Sequence, residues 1–430
     1  MSTVLNPMPH GLNAPAAIPA PVSGPVSTPV SGPVSSPLSA ATAPPQRRAR
    51  IPSIDALRGV VMLLMLVDHT REFFYIHAQV SDPMTLATTP PALVFTRLAA
   101  HLCAPVFVLL TGLAAWLYAD SRRGGGDDEW RGRAAASAFL LKRGVFLVAL
   151  ELTVVSFAWS FDLTPTMVYL QVIWAIGLSM IALAALVHLP HAVVLAVGLA
   201  IMLGHNLLDP ITIAPGQPGH ALWAVLHDRG LIDLPFGMTA RTSYPVLPWI
   251  GVIALGWSIG PWFAQAIAAD RRQRRLLFAG ATSIALFAVL RAINIYGDPT
   301  PWQPGASMLA TIMSILNVTK YPPSADFLAL TLGIGLLALI VLERVPVRWS
   351  GVLAVLGAAP LFFYILHLYA LHALNRAIGI AIGTQGAPVS VPGVAWIWGI
   401  AAIVAVPCWF ACRWFGAFKW RHGGWYWRYL

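Results

Sequence analysis

Ten apolar segments, each long enough to cross a lipid bilayer, follow one another through this sequence. A hydrocarbon core of about 30 Å takes about 20 helical residues. Hydrophobic residues make up 57% of the 430 residues and charged residues only 10%, whereas ordinary globular domains carry about 25% charged residues. Because so few charges cannot coat a soluble surface, we predict an all-α, polytopic integral membrane protein. The predicted spans are 54–76, 94–119, 143–162, 166–188, 190–208, 245–268, 276–296, 325–343, 352–374 and 394–415.

Basic residues are unevenly distributed between the two sides of these spans. With the N-terminus in the cytoplasm, nineteen of the 27 lysines and arginines fall on the inner side, seven on the outer side and one within the first span. Positive loops mark the cytoplasmic face, so we predict that both termini lie inside. The net charge of +10 therefore indicates contact with lipid headgroups, and no recognition fold for nucleic acid fits between the spans.

Residues 1–46 have a different composition from the rest of the chain. Prolines recur every four residues from Pro21 to Pro37, in a repeat rich in valine and serine. Such a composition favours extended chain and cannot form a packed core. We predict a disordered cytoplasmic tail over 1–46 and one transmembrane domain over 47–430.

The first predicted span carries the densest set of ionisable residues, among them Asp55, Arg58, Asp68, His69 and Arg71. Charges within a span are costly and are functional candidates by default. Arg58 and His69 are eleven residues apart, which corresponds to about three turns and about 16 Å along one helix face. We predict that Arg58 binds an anionic group while His69, with Asp68 beside it, acts as a general base or nucleophile. The alternative is that these charges only contact headgroups and cap the helix.

Further polar residues lie at the outer ends of other predicted spans. Together with the first span they define one candidate site, in which His69 and Asp68 are catalytic. Its predicted substrate-binding or donor-binding residues are Arg58, Asp55, Arg71, His101, Arg291, Asn294, Lys320, Tyr321 and His367. The alternative function is a multi-span transporter of a small polar or anionic solute, with the same charges along its path. Transporters of that kind are often built from inverted repeats, and no internal repetition is evident here.

Two segments of the first span carry a family resemblance. Arg50-Ile-Pro-Ser-Ile-Asp-Ala-Leu-Arg-Gly, followed by an apolar run and Met65-Leu-Val-Asp-His, resembles the opening of the heparan-α-glucosaminide N-acetyltransferase-like membrane proteins. The likeness continues in order through Tyr244-Pro-Val-Leu-Pro-Trp, Lys320-Tyr-Pro-Pro-Ser and Phe363-Tyr-Ile-Leu-His. The spacing of the arginine and histidine in the first span is also similar to that of the broader acyltransferase-3 group.

This resemblance implies an acyltransferase that works across the bilayer. A cytoplasmic acyl-CoA, usually acetyl-CoA, would donate its acyl group to a hydroxyl or amine of a cell-envelope glycan or lipid-linked sugar on the other side. His69 would be the essential histidine and Arg58 a contact for the donor or the fold. In the lysosomal members the acting histidine lies slightly beyond the first span, nearer to His77, so both histidines remain candidates. We expect a multi-pass protein of the plasma (inner) membrane with no metal, either as a monomer or as a homo-oligomer.

Overall fold

The computed structural model describes residues 51–123, 128–422 and 424, so the predicted tail over residues 1–46 lies outside the described part. Helices dominate that part. Their bounds are α1 Pro52–Phe74, α2 Pro91–His101, α3 Cys103–Ser121, α4 Glu129–Leu150, α5 Ser156–Ser160, α6 Val172–Leu186, α7 His191–Gly204, α8 His220–Leu226, α9 Leu247–Ser258, α10 Ala269–Ile293, α11 Met308–Leu316, α12 Ala325–Arg344, α13 Val347–Gly357, α14 Pro360–Ile382 and α15 Val394–His422. A π-helical turn, Glu151–Val155, joins α4 to α5.

Six stretches of the described chain are both long and apolar enough to cross a membrane. They are Pro91–Ser121, His191–Leu208, Ala269–Ile293, Ala325–Arg344, Pro360–Ile382 and Val394–Lys419. Helices α1 and α4 also have the length of a span, with 23 and 22 residues, but they carry more charged side chains. The chain is thus a multi-pass membrane protein, while ten spans with both termini inside stay a prediction.

The first predicted span corresponds to one uninterrupted helix, α1. Proline at its first position suits a helix start, because the missing N–H would have no partner there and φ is already helical. The helix packs against α2, α3, α12, α13, α14 and α15, so it lies at the centre of the bundle. Its ionisable side chains therefore contact neighbouring helices.

The ninth predicted span, 352–374, is wrong in its bounds. The structure divides this region into α13 and α14, because Ala359 leaves the helical conformation immediately before Pro360, and a residue before proline disfavours the helical region. Helix α13 lies tightly against α1. A methyl group at Gly59 would overlap the backbone oxygen of Leu353, and one at Gly357 would overlap the backbone oxygen of Asp55.

The all-α prediction is wrong in one place, where a small sheet forms. Strand β1 (Met167–Leu170) pairs in parallel with β3 (Thr239–Thr242), and β2 (Leu231–Asp233) pairs antiparallel with β3. The fourth predicted span, 166–188, therefore begins as a strand and becomes helical only in α6. Valine and tyrosine in β1 favour a strand once a partner strand from the 209–244 loop is available.

Candidate functional site

Two histidines from distant parts of the sequence meet at the C-terminal end of α1. Nδ1 of His69 lies 2.7 Å from Nε2 of His367 on α14, and Nδ1 of His367 lies 2.7 Å from the carbonyl oxygen of Phe363. A carbonyl only accepts, so the His367 Nδ1 carries the proton and, in the neutral ring, its Nε2 accepts one. Nδ1–H of His69 is then the donor, which leaves a lone pair on Nε2 of His69. This tautomer is the form that a general base requires.

Aromatic rings enclose the His69 imidazole on several sides. Trp159 and Tyr364 lie nearly perpendicular to it, with ring centroids 5.2 and 5.8 Å away, and Phe73 stacks on Trp159 at 5.1 Å. The His367 ring is nearly parallel to that of His69, with centroids 5.0 Å apart, as expected for two imidazoles joined side by side by a hydrogen bond. The His69 side chain is only partly buried, so the ring is fixed in orientation while part of it remains accessible.

Asp68 does not pair with His69, although the two are adjacent in sequence. Neighbouring residues on a helix point in different directions, and the Asp68 carboxylate instead meets a group of cations. Nη1 of Arg97 donates to both of its oxygens at 2.8 and 2.9 Å, Nε of Arg71 lies at 3.2 Å, and Nζ of Lys320 lies at 3.8 Å. We call Asp68, Arg71, Arg97 and Lys320 the ionic cluster. The sequence suggested Asp68 as the residue that assists the His69 imidazole. In the structure, the side chain that hydrogen-bonds to this imidazole is His367.

Lys320 connects the ionic cluster to two loops. Its backbone N–H donates to Oδ1 of Asp82 at 3.0 Å, and its ammonium lies 5.1 Å from the ring centroid of Tyr321. The Tyr321 hydroxyl is 3.0 Å from that of Tyr244. Burial raises the pKa of the Asp82 carboxyl, and the nearby Arg97 lowers it by less. The predicted residues Lys320 and Tyr321 thus lie together at the rim of the ionic cluster.

Two more predicted residues, His101 and Arg71, contact this region or its loops. His101 is buried, with its ring 5.2 Å from that of Phe327. Arg71 is also buried, and its Nη1 donates to Oε1 of Gln79 at 2.9 Å. A second Arg71 nitrogen pairs with Glu72. Arg71 therefore ties the end of α1 to the chain that follows it.

Arg58 and Asp55 form a separate pair near the start of α1. Nη1 of Arg58 lies 3.0 Å from Oδ1 of Asp55, and Nη2 donates to the carbonyl of Leu110 at 3.2 Å. Because α1 is continuous, eleven residues separate Arg58 from His69 by about 16 Å. The structure therefore supports the predicted separation of a cation from the histidine along one helix.

Arg291 and Asn294 have structural contacts at the end of α10. The buried Arg291 guanidinium donates to the carbonyls of Ile315 and Asn317 at 3.0 and 3.1 Å, and it lies 3.5 Å from Asp326. Asn294 ends α10 and exchanges two hydrogen bonds of 3.0 Å with the backbone of Trp302. These contacts hold the 297–324 loop and do not reach His69.

His77, the alternative histidine, lies in the short 3₁₀ turn that follows α1. Its side chain is exposed, and Nδ1 lies 2.6 Å from Oγ of Ser390. Its ring contacts Tyr75 at 4.4 Å. The surroundings of His77 thus contain fewer aromatic groups than those of His69.

Residues 143–162 contain a candidate that the sequence analysis missed. Glu151 is fully buried, and its Oε2 accepts the backbone N–H of Trp174 at 3.0 Å. Within the described chain, Oε1 of Glu151, Nε1 of Trp159 and the hydroxyl of Tyr364 are buried without a hydrogen-bond partner. A carboxylic acid inside a predicted span is itself a signal, because the cost of burying it requires a reason.

No group of three histidine, cysteine, aspartate or glutamate side chains in residues 51–123 and 128–422 is arranged to hold a metal ion. The three cysteines are buried and free. They act as small apolar side chains, as their apolar sequence surroundings indicate.

In a comparison with known protein families, residues 50–295 match the family described as "Heparan-alpha-glucosaminide N-acetyltransferase, catalytic". No curated protein matches the chain. The matched region covers more than half of the sequence and includes His69, the ionic cluster residues on α1 and α2, and Trp159. His367 and Tyr364 lie beyond it, on α14. A match of this extent, which includes the helix with the histidine, shows that the chain belongs to the heparan-α-glucosaminide N-acetyltransferase family of membrane acetyltransferases.

Proposed function

We propose that this protein transfers an acetyl group from cytoplasmic acetyl-CoA to a hydroxyl or amine of a sugar on the opposite side of the membrane. The observation that carries the proposal is the hydrogen-bonded series from His69 through His367 to the Phe363 carbonyl. It leaves a lone pair on Nε2 of His69 in a ring that is oriented and partly accessible. Membership of an acetyltransferase family supports the type of reaction.

His69 acts as the general base in the proposed reaction. Its Nε2 takes the proton of the acceptor O–H or N–H while that oxygen or nitrogen attacks the carbonyl carbon of the thioester. A C–O or C–N bond forms, the C–S bond breaks, and the departing thiolate takes the proton from the imidazolium. The His367 Nε2 that accepts from Nδ1–H stabilises the positive charge while the imidazolium exists.

The donor enters from the side on which α1 begins. A guanidinium is suited to the phosphates of a CoA because it offers several donors in a fixed plane, and Arg58 lies about 16 Å from His69 along α1. In this proposal, Asp55 orients Arg58 through their 3.0 Å ion pair. The thioester then reaches His69 from the side on which α1 begins, and the acceptor approaches from the side on which α1 ends.

The acceptor binds beside the ionic cluster. Arg97 and Lys320 supply N–H donors next to the carboxylate of Asp68, and the hydroxyl of Tyr321 lies at the same rim. Donors and acceptors at close range suit a sugar, which presents both on each hydroxyl. We propose a cell-envelope glycan or lipid-linked sugar as the acceptor, and the plasma (inner) membrane as the location, with ten spans and both termini inside.

Labelled acetyl-CoA tests this function. Purified protein in nanodiscs receives acetyl-CoA labelled in the acetyl group, together with a panel of hexoses and hexosamines. We expect label to appear in a sugar product, and we expect His69→Ala to reduce transfer by about 10²- to 10⁴-fold. His77→Ala is the matched variant and should keep wild-type transfer. The reverse pattern would assign the reaction to His77.

A flux measurement separates this function from transport. Proteoliposomes that take up the same sugars in the absence of acetyl-CoA, and that transfer no label, would support the transporter. Label on sugar that is enclosed in vesicles, with acetyl-CoA supplied only outside, would support transfer across the bilayer.

A further inference from the structure

Two buried hydrogen-bond donors beside His69 have no partner in the described chain. The indole Nε1 of Trp159 and the hydroxyl of Tyr364 belong to the two rings that lie nearly perpendicular to the His69 imidazole. The Tyr364 side chain is only 2% exposed. Buried donors in native proteins are nearly always paired, so two unpaired ones at the same imidazole require an explanation.

The local backbone is organised to place Trp159 there. A π-helical turn, Glu151–Val155, comes between α4 and α5, and such turns occur frequently at functional sites. Hydrogen bonds from α14 hold the segment: the hydroxyl of Tyr369 donates to the carbonyl of Val154 at 3.0 Å, and Nδ1 of His372 lies 2.8 Å from the carbonyl of Ala158. Both of these carbonyls precede Trp159, so the turn that leads into the indole is held against α14 while its N–H has no hydrogen-bond partner.

The chemistry of the two groups limits what they can bind. An indole N–H only donates, and a phenol O–H can donate, so the missing partner is an acceptor atom. Both donors lie next to His69. A thioester carbonyl must also lie there if His69 deprotonates the acceptor while the acceptor attacks that carbonyl. Donors aimed at the oxygen on which negative charge develops are among the strongest sources of catalysis in acyl transfer.

We infer that Trp159 Nε1–H and the Tyr364 hydroxyl form the oxyanion-binding site of the acetyl transfer. This inference rests on the proposed function. As the acceptor attacks, the π electrons of the thioester carbonyl move onto its oxygen, and both donors hydrogen-bond to that oxyanion. When the C–S bond breaks, the electrons return to form the carbonyl of the acetylated product.

Glu151 offers the structural alternative for Tyr364. Its free oxygen Oε1 is close enough to Tyr364 for the two groups to interact electrostatically, so a bond between them would give the hydroxyl a purely structural role. Because Oε2 of Glu151 is occupied by the N–H of Trp174, Glu151→Gln keeps that anchor while it replaces the carboxyl group with an amide. If the Tyr364 hydroxyl pairs with Glu151, its removal should lower the midpoint of unfolding. If the hydroxyl instead donates to the oxyanion, its removal should lower kcat.

Four single variants test the inference. Trp159→Phe and Tyr364→Phe keep the rings and remove the donors. Tyr296→Phe and Trp409→Phe are the matched controls, because the hydroxyl of Tyr296 donates to the carbonyl of Leu203 and Nε1 of Trp409 donates to that of Val352 at 2.9 Å. Acetyl transfer is measured as kcat and as KM for acetyl-CoA, and thermal unfolding is followed without acetyl-CoA.

We expect each donor variant to lower kcat by about 10²-fold or more, with KM changed less than about threefold. Neither donor has a hydrogen bond of normal geometry in the free protein, although the two groups lie close enough to interact with each other. The unfolding midpoint should therefore fall little, whereas both controls should keep kcat. Wild-type kcat in the two donor variants, or an effect on KM alone, overturns the inference and leaves the acetyltransferase intact. If Trp159→Phe does not fold, Tyr364→Phe decides by the same criteria. A wild-type protein that transfers no label overturns the proposed function itself.

Discussion

Nδ1 of His69 lies 2.7 Å from Nε2 of His367, which joins α1 to α14 across 298 positions of the chain. The contact does more than hold two helices together. The carbonyl of Phe363 fixes the proton on His367, and His367 in turn fixes the proton on His69. The nitrogen of His69 that keeps its lone pair is thereby determined by a backbone oxygen of α14.

Replacement of His367 tests this dependence. His367→Ala removes the acceptor for Nδ1–H of His69, so the ring loses its preferred tautomer and orientation. An unsatisfied buried donor costs about 1–3 kcal/mol, and a loss of this size in the transition state lowers kcat by about 5- to 150-fold. His367→Gln retains an acceptor oxygen and should recover part of kcat. Equal loss of acetyl transfer in both variants would contradict the role of the acceptor.

The individual participants of this contact could be predicted, but the contact itself could not. His69 and His367 both stood out as ionisable residues inside predicted spans, because lipid makes each of them costly. The sequence placed Asp68 beside His69, whereas the hydrogen-bond partner of the His69 imidazole is His367, since adjacency in sequence does not bring two side chains together on a helix. Which helices pack against α1 depends on the tertiary fold, and periodicity carries no information about it.

One helix break and one strand were also missed. The segment 352–374 is largely apolar, so its hydropathy does not mark the end of α13, although Pro360 is a signal for the break that the structure shows. Strand β1 was missed because its partner β3 lies about seventy residues away. Glu151, by contrast, carried a signal in the sequence, namely a carboxyl in an apolar span.

The ionic cluster has a structural consequence that can be measured. Asp68→Asn removes the carboxylate that faces Arg97, Arg71 and Lys320. Breaking a buried ion pair by removal of one partner costs about 3–5 kcal/mol, so the midpoint of thermal unfolding in detergent should fall clearly.

Arg97→Gln provides the matched change on the other side of the same pair. Because the two variants remove one shared interaction, the double variant should lose less stability than the sum of the single losses. Additive losses would show that Asp68 and Arg97 stabilise the fold independently.

The close approach of α13 to α1 predicts the behaviour of Gly59. Gly59→Ala places a methyl group against the backbone of Leu353, and backbone cannot rotate away as a side chain can. We expect a loss of about 1–3 kcal/mol in unfolding free energy. Gly399→Ala on α15 has no atom within 4 Å of the added methyl and should be neutral or gain up to about 1 kcal/mol. Similar unfolding midpoints for the two variants would contradict the packing.

Asp82 predicts a pH dependence of stability outside the spans. Burial raises the pKa of its carboxyl, so the folded protein holds this proton more tightly than the unfolded chain does. Folding disfavours the ionised form of Asp82. The contribution of Asp82 to the stability of the folded protein therefore falls as the pH rises from about 3.9, the ordinary aspartate pKa, through the raised pKa of the folded protein.

Asp82→Asn isolates that contribution, because the amide oxygen can still accept the backbone N–H of Lys320. The difference in unfolding midpoint between variant and wild type should favour the variant near pH 7 and shrink as the pH approaches 4. A difference that grows in the wild type's favour with rising pH would show that Asp82 is stabilised as an anion.

Glu151 should stabilise the start of α6 through one oxygen. Its Oε2 accepts the N–H of Trp174 in the first turn of that helix, a donor that has no partner within the helix itself. Glu151→Ala leaves this buried N–H unpaired and also creates a cavity, so we expect a loss of about 2–4 kcal/mol in unfolding free energy. Glu151→Gln keeps an acceptor oxygen and should lose less than about 1 kcal/mol. Thermal unfolding of the two variants in the same detergent measures the difference, and a glutamine variant as unstable as the alanine variant would show that the charge of Glu151, rather than its hydrogen bond, maintains the fold.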